Sequence, residues 1–199
     1  MYKEIDIDYY KYIYENTQRE IEEIYNYYNV VMDNIESEVY MSPSDYLISR
    51  NITYIYSAIN YAKTTLEYWY KEIENKRKIR VVVNHNNLTL EHYLKSDKPY
   101  LISWEKSNVD IPIYDLISLY TNNYLNFDFT ELIDIYLSKY PLNKEEMLLF
   151  LILISIPKKI PKHESMYQTV INIRRNLDYL YKTSELVKKY NIKQKTQEW

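Results

Sequence analysis

The chain of 199 residues contains no cysteine and no glycine. Without cysteine there is no disulfide, no thiolate metal site and no Cys nucleophile. Without glycine, neither a P-loop nor a dinucleotide-binding fingerprint can take its usual shape. Those loops need backbone conformations and a close approach that only glycine supplies at little cost. Long apolar runs are also missing. The longest, Met147–Ile156, stops at Glu146 and Pro157 and is about half the roughly 20 residues of a membrane helix, so it reads as a buried helix. The N-terminal stretch MYKEIDIDYYKYIYE is acidic and has no apolar leader core, which predicts no secretory signal. A basic surplus is absent too: the net charge is −3, so no general attraction to nucleic acid or anionic lipid is expected. These absences predict a soluble, cytoplasmic protein with neither membrane nor nucleic-acid partners.

What is present is globular composition, 46% hydrophobic and 27% charged, in a length that suits a single domain over 1–199. The 26 tyrosines accord with AT-rich coding, and they also supply the side chains that enrich interface cores. Apolar residues at helical spacing (Ile13, Ile21, Ile24, Tyr28, Val31, Ile35) predict a helix over about 7–39. Ser42-Pro43-Ser44-Asp45 then offers a cap and a helix-starting proline. A second stripe from Ile48 to Ile73 predicts another long helix to about 75. The pattern changes at Lys78, where Ile79–Val83 and later Tyr100–Trp104 read as short strands. We expect these to form a small β-hairpin-like element. After Pro112 helical spacing returns near 112–124, 129–139, 143–155 and 163–190, leaving a polar, frayed tail over 191–199. The stripe in the last helix approaches heptad spacing and is read as packing onto its own domain. The fold class predicted is mostly α (α+β): two long helices (1–77), a central β element (78–116) and a helical half (117–190).

The most specific segment runs from Val81 to Tyr120. His85-Asn86-Asn87-Leu88 follows the first strand, Ile102-Ser103-Trp104-Glu105 ends the second, and Asp110-Ile111-Pro112-Ile113-Tyr114-Asp115-Leu116 opens the next helix. In order and spacing this series resembles the C-terminal lobe of the aminoglycoside-phosphotransferase/choline-kinase superfamily, nearest its spore-coat kinase-like branch. That family carries H-G-D-x-x-x-x-N, I-D-[WF]-[ED] and D-x-P-x-x-D-L at these places. The resemblance implies that Asn87 stands at the position of the catalytic base, and that His92 and Ser103 stand at the two magnesium-ligand positions. An amide has no useful basicity. Magnesium prefers hard oxygen ligands, usually carboxylates. All three chemical positions are therefore degenerate. His85, Trp104, Glu105, Asp110 and Asp115, with Pro112 and Leu116, are framework positions, and Asp115 is expected to brace the loop backbone. Losing one electrostatic contributor costs about 2.7–4 kcal/mol of barrier, so the resemblance implies a pseudokinase with no cofactor and no metal. Its role would be to bind or scaffold a protein partner, in a bacterial spore coat by analogy with that branch.

No β-rich segment precedes Ile79, so the family's N-terminal lobe is expected either to have been lost or to belong to a longer chain of which this is a fragment. The chain is expected to begin directly in a helix, leaving a nucleotide cleft with one wall. An altered phosphotransferase working with a separate N-lobe, through Glu105 and His92, and an unrelated helical interaction protein remain as alternatives. The three histidines, His85, His92 and His163, do not make a recognised zinc spacing, even with Glu91 or Glu105. A Ser–His–Asp set drawn from Ser103, His85 or His92, and Asp110 or Asp115 has no nucleophile elbow around it. Lys158, Lys159 and Lys162 read as a solvated turn. Tyr25-Asn26-Tyr27-Tyr28 lacks the interleaved basic residues of a nucleic-acid stacking platform.

Overall fold

A computed structural model of the chain describes residues 1–6, 8–160 and 165–191. Helix α1, Tyr9–Ser37, and helix α2, Pro43–Ile73, form a long antiparallel pair. Their buried faces follow the sequence stripes: Ile21, Ile24, Tyr28 and Ile35 on α1, and Ile48, Ile55, Ile59, Ala62, Leu66, Trp69 and Ile73 on α2. Ser42 caps α2, its Oγ accepting from the Asp45 amide at 3.2 Å, with Pro43 in the first turn. Orphan amides and a proline that has none suit that position.

The shorter helices are α3 (Ile113–Asn123), α4 (Phe129–Lys139) and α5 (Lys144–Ser155), followed by the longer α6 (Met166–Tyr190). Helix α5 is the middle of the core. Every residue from Glu146 to Ile152 is buried, because a helix that is apolar all round must be covered on every side. It packs against α2, α3 and α6. Its N-terminus is closed by a capping box in which the Asn143 amide donates to Glu146 Oε2 at 2.8 Å. Six α-helices among the described residues make the molecule mostly helical, at boundaries within three residues of the sequence reading. Residues 163 and 164 of the expected last helix, with Pro161, Lys162, His163 and the tail over 192–199, lie outside the described residues.

The β structure departs from expectation. The Ile79–Val83 run is divided at Val81 into β2, Lys78–Arg80, and β3, Val82–Asn84. These do not pair with the Tyr100–Trp104 run. Strand β1, Tyr2–Glu4, which sequence patterning missed, lies antiparallel to β2 with Lys3 opposite Ile79. The chain therefore enters through a strand, not directly through a helix. Strand β6, Asn108–Asp110, also missed, lies antiparallel to β3 with Val83 opposite Val109. The Tyr100–Trp104 run is strand only at β5, Tyr100–Leu101, which pairs with β4, Tyr93–Leu94. Trp104 belongs to a 3₁₀ turn, Trp104–Lys106. The physical reason is length. A strand of two or three residues has too little periodicity to register, and its partner is chosen by the chain path, which the sequence does not display.

Candidate functional site

The motif segment occupies the loops that join these ladders. After β3, buried Asn84 donates from Nδ2 to the Ile111 carbonyl at 2.8 Å, tying the strand end to the start of α3. The next residue, His85, is 1% exposed. Its backbone N–H donates to Asp115 Oδ2 at 2.6 Å, and the Asn86 N–H donates to Asp115 Oδ1 at 2.9 Å. One carboxylate in the first turn of α3 thus holds two successive amides from a loop about thirty residues upstream. Each is a charge-assisted bond, the stronger class in proteins. This is the loop brace expected of Asp115.

The His85 ring lies under the loop. Its Nε2 is 2.7 Å from the Ile102 carbonyl, and because a carbonyl only accepts, Nε2 carries the proton. Trp104 meets this ring edge-on at 4.8 Å between centroids and donates from Nε1 to the Leu101 carbonyl at 2.9 Å. Ile102 completes the junction, its amide donating to the His92 carbonyl at 3.0 Å. His92 Nδ1 is 2.8 Å from the Asn87 carbonyl and must likewise donate. Its ring centroid is 5.6 Å from that of His85. Asn87, His92 and the residue preceding Ser103 are therefore linked in one hydrogen-bonded cluster.

Both histidines spend a ring nitrogen on a backbone carbonyl, and neither forms a hydrogen bond to Ser103 or to a carboxylate, so no catalytic triad is assembled. Among the described residues no group of three His, Asp or Glu side chains is placed to hold a metal ion. Glu105 is exposed and has no hydrogen-bond or ion-pair partner among the described residues; it does not brace the loop. Asp110 faces the other way. Its Oδ1 accepts from the Ile111 amide at 2.8 Å and from Tyr9 Oη of α1 at 3.2 Å. Burial, then the Asp110 charge, pushes the Tyr9 phenol upward, and the same two causes raise Tyr114 to about 12. A cavity of about 450 Å³ touches the motif segment at Val81, Val109 and Asp110, beside Asp6, Asp8 and Tyr9.

Two residues that sequence reasoning passed over do structural work here. Asn86 sits in the turn between His85 and Asn87, and its φ is 56°. Asparagine is the side chain after glycine most at home in that left-handed region. Its Nδ2 also reaches the Lys106 carbonyl at 3.1 Å. The second is Arg80, whose Nε donates to Glu146 Oε1 at 2.9 Å and whose guanidinium also pairs with Glu146 Oε2. The guanidinium lies over the Tyr140 ring as well, so β2 is anchored to the capping box of α5. The residue types at Asn86 could have announced its role; a partner sixty-six residues away could not. No protein-family model, curated protein or solved structure matches this chain.

Proposed function

We propose that this chain is a non-catalytic binding or scaffolding module, built on a degenerate C-terminal lobe of the aminoglycoside-phosphotransferase/choline-kinase kind and acting on a protein partner. One observation carries the reading: the Asp115 carboxylate holds the His85 and Asn86 amides, while the three positions that would do chemistry are Asn87, His92 and Ser103. The loop is held in shape at the cost of a partly buried carboxylate, yet an amide stands at the base position, Asn87, and neither His92 nor Ser103 offers magnesium a carboxylate. Phosphoryl transfer is almost wholly positioning and charge neutralisation, so a loop with position and no charge keeps shape without turnover. His92 closes the loop, its Nδ1 donating to the Asn87 carbonyl, and an imidazole is a poor substitute for the carboxylate or amide oxygen that magnesium takes.

A thermal-shift titration with ATP and magnesium tests this. The expected result is an unchanged melting temperature and no phosphate release above background. A dose-dependent rise, or turnover that disappears in Asn87→Ala, would overturn it in favour of a phosphotransferase. Asn87→Asp combined with Ser103→Asp restores two carboxylates. ATP-dependent stabilisation gained only in that double variant would support a disarmed kinase-like loop.

A further inference from the structure

The turn joining α1 to α2 carries three large apolar residues in succession, Val39, Tyr40 and Met41, which are 88%, 88% and 50% exposed. Tyr46, just inside α2, is exposed beside them. Folding does not require this composition. The Glu38 amide closes α1 onto the Ile35 carbonyl, and Ser42 with Pro43 starts α2. Residues 39–41 have only to cover the gap between, a task that Ser, Asn or Asp performs without exposing apolar surface. Consecutive exposed apolar side chains on a soluble domain are a liability unless something covers them.

The charge around the tip selects the cover. Between Arg19 and Arg50 the sequence has no Lys, Arg or His, but it has seven carboxylates, Asp33, Glu36, Glu38 and Asp45 among them. Asp33, Glu36 and Glu38 are exposed at the end of α1, and none of them forms an ion pair among the described residues. An apolar knob thus stands in a collar of unpaired negative charge. An anionic lipid surface is opposed by that collar, since such membranes attract basic residues at about 1 kcal/mol each. A second copy docking tip to tip would bring like charges together. We propose that the Val39–Met41 tip is a docking knob for a protein partner whose surface offers an apolar cleft rimmed by Lys and Arg. Tyr40 is the anchor, an aromatic of the kind that dominates interface energetics, and the collar steers the approach. The 31 residues of α2 separate this tip from the motif loops by about 45 Å at 1.5 Å per residue. The assignment therefore stands apart from the kinase-like reading.

The test uses the full chain and a synthetic amphipathic helical peptide with leucine on one face and lysine on the other, followed by fluorescence anisotropy. Two control peptides replace leucine by serine or lysine by glutamate. The leucine–lysine peptide should bind at least tenfold more tightly than either control. Val39→Ser/Tyr40→Ser/Met41→Ser should weaken it at least tenfold without moving the melting temperature, because those side chains support no core. Asp33→Asn/Glu36→Gln/Glu38→Gln should weaken it too and flatten its salt dependence. Absence of peptide binding, or equal binding by the wild type and the serine variant, overturns the proposal. So does tip-dependent binding to phosphatidylserine vesicles, which would make the tip a membrane contact. Tip-dependent self-association in sedimentation would also overturn it, by making a second copy the occupant.

Discussion

At Asn86 and Ser103 the backbone turns left-handed, with φ of 56° and 66°, the two non-glycine cases among the described residues. Holding an L-residue there costs roughly 1–2 kcal/mol, and the two sites offset it differently. Asn86 gains a side-chain bond to the Lys106 carbonyl, whereas the Ser103 hydroxyl makes no capping bond. Ser103→Gly should therefore stabilise the protein by up to about 1 kcal/mol, after the greater freedom of glycine in the unfolded chain is deducted. Ser103→Val should destabilise it by more than 1 kcal/mol, since a β-branched residue is a steric outlier at that φ. Asn86→Gly should come out near neutral, its relief cancelled by the lost bond. Urea midpoints at constant slope would order the three. Asp115→Asn leaves one oxygen to accept where two served, with no charge. A loss of roughly 2 kcal/mol is expected, along with faster hydrogen exchange at the His85 and Asn86 amides in particular. Unchanged protection at those two amides would remove the brace from the account.

Among the elements, the helices were legible and the ladders were not. Stripes such as Ile48 to Ile73 recur often enough to outvote any single exception, and Ser42-Pro43 marked the start of α2 by its chemistry. Strands of two or three residues give periodicity nothing to count, so β1 and β6 went unseen and the Ile79–Val83 run was assigned the wrong neighbour. What keeps β2 in place is also remote: Arg80 clamps Glu146, whose side chain is 6% exposed against 15% for Arg80. Removing one member of a buried pair leaves the other uncompensated, at about 3–5 kcal/mol. Glu146→Gln should cost that much in equilibrium unfolding, because it also weakens the capping box of α5. Replacing both residues, Arg80→Met with Glu146→Leu, should recover a large part of the loss. A double-mutant cycle with no coupling would show that the pair only fills space.

Across the whole molecule the tyrosine content becomes a property of the fold. Burial raises the phenols of Tyr10, Tyr61, Tyr114 and Tyr136 to about 12 and lifts Tyr28, Tyr120 and Tyr179 further. An unfolded chain ionises its phenols near pH 10, so above that pH unfolding releases protons and stability falls as pH rises. The contribution is fully present below about pH 10 and is lost as pH climbs through the folded values. Urea unfolding at pH 8 and pH 11 should show the decline, and phenolate absorbance should appear in two phases, exposed tyrosines first and buried ones together with unfolding. A single phase near pH 10 with stability unchanged would contradict the burial assigned to them. The amino-acid order by itself determined the helices, the core stripe of each, the residue types in the motif and the exclusion of glycine-built phosphate loops. Each of these is a local pattern or a composition, readable without knowing where the chain returns. Only the tertiary structure decided which short strands pair, that Asp115 reaches the two loop amides, and that Arg80 meets Glu146. Apart from the short β4–β5 hairpin, those contacts join residues twenty-four to seventy-eight positions apart, and the free energy that selects them comes from packing the whole core.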